Sequence, residues 1–232
     1  MSLTIHRDRR TSAGNKTIVP ARPLLSEKVY QQFKKEIITG VLEPGRPLTE
    51  AFLIRRFGAS LTPVREACIR LNSEKLLESV PNRGYSVASI SVNTIHELFT
   101  ARLILEEFTV QEACEKDDPE LFGEIEALGR IVASFGDRES YLSFIDANTN
   151  LHLSIAQLAG NESIVGMLGD VLNRLARLSY LTVAREDDGP QTAKEHTEII
   201  TAIRNKDRPS AKKSIRRHIQ SAKQNIMNVY FK

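Results

Sequence analysis

Between Phe57 and Pro63 the chain stops one short helix and starts another, and this break narrows the possible folds more than any other stretch. Leu53, Ile54 and Phe57 mark a helix that ends at Gly58. Ala59-Ser60-Leu61 then leads into Thr62-Pro63-Val64-Arg65-Glu66, where Ser60 or Thr62 can cap a new helix and Pro63 suits its first turn. Val64, Ala67, Cys68 and Leu71 give this second helix an inward face. Upstream, Val29, Phe33 and Ile37 recur at helical spacing, Gly40 ends their helix, and Glu43-Pro44-Gly45 makes a turn. Downstream, Glu78-Ser79-Val80 and Tyr85-Ser86-Val87 read as two short strands around the turn Pro81-Asn82-Arg83-Gly84. Short helices joined by a tight glycine turn and followed by a hairpin form a winged helix-turn-helix, predicted here over residues 23–88.

Charge is divided along the chain in the way this layout requires. The formal net charge of the 232 residues is +3. Residues 1–90 carry 15 basic and 8 acidic side chains, a net of +7, and residues 91–232 carry 17 and 21, a net of −4. A basic front half and an acidic back half predict two domains with different partners. Residues 1–22 are predicted to be a mobile basic arm. No apolar run approaches the roughly 18 residues a membrane span needs. The first residues lack the apolar core of a secretory signal, so a cytoplasmic protein with no membrane partner is expected. Cys68 and Cys114 make no metal-type pair and are expected to be buried thiols.

A helix that enters the major groove reaches phosphates and base edges from its first turns. Thr62 and Arg65 stand there, with Arg70 one to two turns later, and Ser60 and the helix-start N–H groups can hold a phosphate. Arg83 and Gly84 lie at the wing tip, where a cation can approach the minor groove and glycine allows close contact. Lys34, Lys35, Arg55 and Arg56 add basic surface. Leu25 to Val87 resembles the DNA-binding domain of the GntR family of bacterial transcriptional regulators. The carrying stretches are Leu42-Glu43-Pro44-Gly45, Leu48-Thr49-Glu50, Thr62-Pro63-Val64-Arg65-Glu66-Ala67, Arg70-Leu71 and Asn82-Arg83-Gly84-Tyr85-Ser86-Val87. The resemblance implies a homodimer on a short palindromic DNA operator, with Thr62 and Arg65 on the recognition helix. Family members usually carry arginine where this chain has Leu61. Leucine donates no hydrogen bond to a guanine edge but can pack on a thymine methyl, so a changed base is expected there.

After a connector at 89–95, the remainder reads as helices near 93–116, 119–134, 138–159, 162–183, 190–205 and 208–230. The predicted fold is therefore mainly α: a winged helix-turn-helix with a small β-hairpin wing, then an all-α antiparallel helical bundle over 96–232. Three histidines fall on apolar stripes of three different helices. Asn148 and His152 share a face with Leu142, Ile145, Ile155 and Ala159. His196 lies with Ile199, Ile200 and Ile203, and His218 with Ala211, Ile215, Ala222 and Ile226. A buried imidazole needs a hydrogen bond or a metal. Each histidine alone reads as a satisfied core residue; the three together with Asn148 favour a shared divalent metal, with Zn²⁺, Ni²⁺ or Mn²⁺ suited to three nitrogens and one oxygen. Arg102, in line with Ile95, Leu98 and Leu105, wants an anion, either a protein carboxylate such as Glu106 or a ligand's. Arg174 and Arg177 either line the same pocket or face solvent.

Residues 96–225 resemble the helical FCD effector domain of the FadR-type branch of GntR regulators. The resemblance rests on Ala101-Arg102 with Glu106, Asn148 with Leu151-His152, Ala159-Gly160-Asn161, Glu195-His196 and Arg217-His218. It implies Asn148, His152, His196 and His218 as metal ligands and Arg102 as the residue that binds a small organic-acid effector. Many members have Asp where this chain has Asn148, so the site is one negative charge poorer. The function expected is a sequence-specific transcriptional repressor controlled by a carboxylate, without enzymatic activity. Two other classes compete. A metal-dependent enzyme would use the histidine cluster, but it needs an open metal position with an adjacent acid or base and leaves the winged helix unexplained. An architectural DNA-binding protein leaves the buried polar cluster unexplained.

Overall fold

A computed structural model of the chain describes residues 25–134, 136–185 and 189–231; the arm predicted at 1–22 lies outside them. The first unit runs α1 (Leu25–Ile38), β1 (Pro47–Leu48), α2 (Glu50–Phe57), α3 (Leu61–Ser73), β2 (Leu77–Val80) and β3 (Gly84–Val87). Its core joins Val29, Phe33 and Ile37 of α1 to Leu53 of α2 and to Val64, Ala67, Cys68 and Leu71 of α3, all buried. Burial of each large apolar side chain contributes about 1.5–3 kcal/mol, which holds the short helices that propensity alone would not. Thr49 caps α2, its hydroxyl accepting from Phe52 N at 3.2 Å, and Gly58 ends the helix at φ 59°. Ser60 occupies the N-cap position of α3, but its side chain makes no capping bond, and Thr62 lies inside the helix. The expected side-chain cap is therefore missing, which leaves the hydroxyl of Ser60 uncommitted at the helix start.

The wing is a three-stranded antiparallel sheet in the order β1-β3-β2 rather than a lone hairpin. The two residues of β1 were too few to show a period. Gly84 has a structural duty here: its φ is +95°, and a Cβ would stand 2.7 Å from the Leu48 carbonyl oxygen on β1.

The second unit comprises α4 (Val92–Ala113), α5 (Pro119–Gly129), α6 (Arg138–Ala159), α7 (Glu162–Arg185), α8 (Gly189–Arg204) and α9 (Arg208–Tyr230). Asp118 and Asp207 cap α5 and α9 ahead of first-turn prolines. Helix α4 packs on α6 and α9, α6 on α7, and α8 on α9, around Ile95, Leu98, Leu151, Ile155, Ile199 and Ile215. Some boundaries differ from expectation. Ser91 Oγ accepts from Thr94 N at 3.0 Å and starts α4 at Val92, inside the stretch predicted as connector at 89–95. Helix α5 ends at Gly129, before the predicted 134. Among the described residues no helix is long and apolar enough to cross a membrane. Cys68 and Cys114 are free and buried.

The two units touch directly. Lys34 of α1 donates to Asn173 Oδ1 of α7 at 3.0 Å and pairs with Glu74 at 2.8 Å, and Lys35 pairs with Glu139 of α6 at 2.9 Å. These two lysines, predicted as phosphate-attracting surface, hold the junction instead.

Candidate functional site

Each histidine of the C-terminal unit reaches the same point because it replaces one apolar residue in its helix's inward stripe. His152 of α6, His196 of α8 and His218 of α9 are at most 3% exposed. Ring nitrogens of the three lie within 4.8 Å of one another, and the ring centroids are 4.9–5.5 Å apart. Gly129 of α5 lets α8 approach: a Cβ there would stand 2.5 Å from Ile200 Cδ1, beside His196.

Two buried carboxylates stand behind two of the rings. Glu106 Oε2 lies 2.5 Å from His152 Nδ1, and Glu195 Oε2 lies 3.0 Å from His218 Nδ1. His218 Nδ1 is hydrogen-bonded to Glu195, whereas His152 Nδ1, though close to Glu106, is not aligned for a hydrogen bond. Because Arg102 can only donate, its approach to both Nε2 atoms turns the lone pairs of both rings inward. Arg102 Nη2 donates toward both, at 2.8 Å to His152 Nε2 and 3.4 Å to His218 Nε2. Arg102 Nε also pairs with Glu106 Oε1 at 2.5 Å. His196 Nε2 is buried with no hydrogen-bond partner. A buried ring nitrogen left unpaired is costly, and three converging imidazoles with carboxylates behind two of them are a donor set that suits a divalent metal. The residues present therefore fit such an ion.

The electrostatics agree. Burial raises the Glu106 carboxyl, but Arg102 and then His152 outweigh it and hold it down to about 2. Burial, with help from Arg102, lowers His152 to about 4 against the pull of Glu106. Burial lowers His196 well below its ordinary value, with His218, His152 and Arg102 adding to the effect. Burial raises Glu195 also, but its bonds from His218 and Gln191 bring it below the usual carboxylate value. His152 and His196 are neutral near pH 7, as metal ligands must be.

A pocket of about 60 Å³ opens beside the cluster, lined by Arg102, Asn148, Ser179, Thr192, Glu195 and His218 among others. Asn148 is thus on the wall of the same site, half-buried. The ion pair of Arg102 with Glu106 is formed, which was one of its two expected partners. Arg177 does not join this pocket. It is buried at the junction, donating to the carbonyls of Ala88 at 2.6 Å and Ser89 at 3.3 Å.

In the first unit, Ser60, Thr62 and Arg65 are exposed together at the start of α3, and Arg83 is exposed at the wing tip with Gly84 behind it. Glu50 of α2 grips Arg65 with both oxygens, at 2.7 and 3.1 Å. Arg70 stands apart. Its guanidinium pairs with Glu27 at 2.5 Å and covers the Tyr30 ring at 3.6 Å, on the side of α3 that faces α1. Arg56 pairs with Glu36 at 2.5 Å. Sequence reasoning missed Glu50 and Glu195. Glu50 is 15 positions from Arg65, and no local spacing links them. Glu195 points away from its neighbour His196 on α8, and that direction carries it to His218 of α9.

A winged helix whose third helix exposes its first turn, set on a helical domain with a buried polar centre, defines a DNA-binding regulator rather than an enzyme. Comparison with known proteins makes this specific. Residues 25–87 match the family of bacterial regulatory proteins called gntR, and residues 97–221 match the FCD domain. The chain belongs to the GntR family of transcriptional regulators, in the group with an FCD domain. Among its relatives are the uncharacterized regulator YdhC of Bacillus subtilis, 23% identical over 86% of this chain and 90% of that one. The repressor RspR of Escherichia coli K12 is 21% identical over 90% and 92%. A probable D-xylose utilization operon repressor of Paenarthrobacter nicotinovorans is 28% identical over 85% and 87%. The solved structure of E. coli McbR/YncC has the same fold, with a TM-score of 0.70 at 22% identity over 90% of this chain and 98% of that one.

Proposed function

We propose that this regulator is a homodimeric repressor whose hold on a palindromic operator is controlled by a small carboxylate bound between Arg102 and a divalent metal. The metal would be held by His152, His196 and His218, with Asn148 as an oxygen donor, and would supply a Lewis-acidic seat for the acid. The observation that carries this is the unpartnered His196 Nε2 beside two inward lone pairs. Charge supports the acid. Glu106 and Glu195 against Arg102 leave the site one negative charge; a divalent ion reverses this to one positive, and Asn148 cannot offset it. A monocarboxylate closes that difference in a medium where an unbalanced charge is costly. The 60 Å³ pocket favours a small acid.

At the DNA, Thr62 and Arg65 read the major groove, Ser60 and the first N–H groups of α3 hold a phosphate, and Arg83 with Gly84 approaches the minor groove. Exposed Leu61 gives an operator that differs from the usual family half-site at the base it faces. Support for the dimer comes from α4, where Ile104 and Phe108 stand one turn apart and are 66% and 43% exposed, and from Met167 on the adjoining α7, 53% exposed. The acid acts by favouring one placement of the two recognition helices over another. Elemental analysis of His152→Ala and His196→Ala tests the metal: both lose it, and full retention in both returns the histidines to the role of core residues. Selection from random duplexes tests the reader: the enriched site is palindromic and departs from the ordinary half-site.

A further inference from the structure

A second crevice, of about 170 Å³, lies between the two units. Its charged lining is Lys75 at the end of α3, Glu78 on β2, and Arg174 and Arg177 one turn apart on α7. Three cations thus face one carboxylate. Arg177 is 7% exposed and, among the described residues, has no carboxylate within 4 Å. Its partners are the two connector carbonyls of Ala88 and Ser89, which are neutral, and its Nε is buried with no partner at all. Burial accordingly pulls the Arg177 guanidinium below its ordinary value. A buried guanidinium normally has a matching anion, and a fork of N–H donors beside a second arginine and a lysine matches a tetrahedral oxyanion. The net charge of the lining, two positive, balances that of a phosphate dianion. The volume far exceeds the roughly 15 Å³ a single water requires.

We propose that this junction crevice is a binding site for a phosphate group, free or esterified on a small molecule, held by Arg174, Arg177 and Lys75. It shares no residue with the Arg102 pocket and does not depend on the acid or metal assigned there. Because Arg177 grips the connector, a phosphate bound to it sits at the hinge between reader and sensor.

The test is thermal unfolding of the full chain, without DNA, titrated with inorganic phosphate, glycerol phosphate, and sodium chloride at matched ionic strength. A specific site gives a saturable rise in melting temperature with phosphate that chloride does not give. Glycerol phosphate reproducing the rise assigns an ester ligand; inorganic phosphate alone assigns the free ion. Arg177→Gln risks misfolding, so the working variant is Lys75→Asn with Arg174→Gln. Asn tolerates the left-handed backbone at Lys75, φ 59°. This variant raises the half-saturating phosphate concentration at least about tenfold, whereas Arg65→Ala leaves it unchanged. A wild-type response equal to that of chloride overturns the site, as does an unaltered curve in the double variant or loss of the response in Arg65→Ala.

Discussion

Arg102 Nη2 lies 2.8 Å from His152 Nε2, so a fixed cation already engages a lone pair that a metal ion would use. Arg102 and a metal thus compete for the same face of the ring unless an anion sits between them. Removing the guanidinium by Arg102→Ala should tighten metal binding by about tenfold or more, since like charges a few ångströms apart repel by several kcal/mol at a partly screened site. The same change should abolish the response of DNA binding to any carboxylate. Competition with a chromogenic chelator reads the first effect, and unchanged metal affinity would show that Arg102 does not oppose the ion.

Asn148 offers a complementary change. Asn148→Asp adds a negative charge on the wall of the same pocket. Metal affinity should rise by about tenfold. Carboxylate affinity should fall, because the added charge performs the neutralisation the acid performs. Isothermal titration with Zn²⁺ and then with acids separates the two effects; a rise in both would contradict the charge balance described for the site.

Arg65 should dominate sequence-specific binding. Arg65→Ala should cost about 1–3 kcal/mol of operator affinity, a loss of roughly five- to 150-fold. Glu50→Gln releases Arg65 from its bidentate hold, and should reduce discrimination between operator and random duplex more than it reduces total affinity. Arg70→Ala should cost less operator affinity than Arg65→Ala, because Arg70 lies in the last turn of α3 with its guanidinium turned toward Glu27 and Tyr30 of α1. Fluorescence anisotropy with operator and scrambled duplexes distinguishes these outcomes.

Metal-free protein should lose stability in acid earlier than carboxylates alone would require. His152 is lowered to about 4 in the folded chain and titrates near 6.5 when unfolded. Between these values the unfolded chain binds a proton that the native one does not, so stability is full above pH 6.5 and falls as the pH drops toward 4, by about 3 kcal/mol from this residue. Glu106, held at about 2, adds a further loss below about pH 4.5. Chemical denaturation of wild type and His152→Gln at pH 7 and 5 checks the sign. Equal pH dependence in the two would refute it.

The sequence was most informative where one pattern served one purpose. Pro63 in a first turn, Gly58 in a left-handed stop, and histidines at the spacing of isoleucines are local signals, and they located the reader and the buried cluster. What it did not reveal depends on contacts between distant segments. The two residues of β1 are fixed only by pairing with β3, which itself requires glycine at position 84. Arg65 meets Glu50 and Arg70 meets Glu27 across helix packing that no periodicity encodes. Lys34, Lys35 and Arg177 read as surface or pocket charges because the docking of the two units, which buries or pairs them, has no signature in either unit alone.

The central claim is that metal and acid jointly control DNA binding. Operator affinity should therefore be measured on metal-loaded and chelated wild-type protein, each with and without a panel of small carboxylates. One acid should shift affinity by about tenfold or more, a coupling of at least ~1.4 kcal/mol, in the loaded protein only, with Arg102→Ala insensitive. Affinity that ignores every acid, or responds equally after chelation, would contradict it.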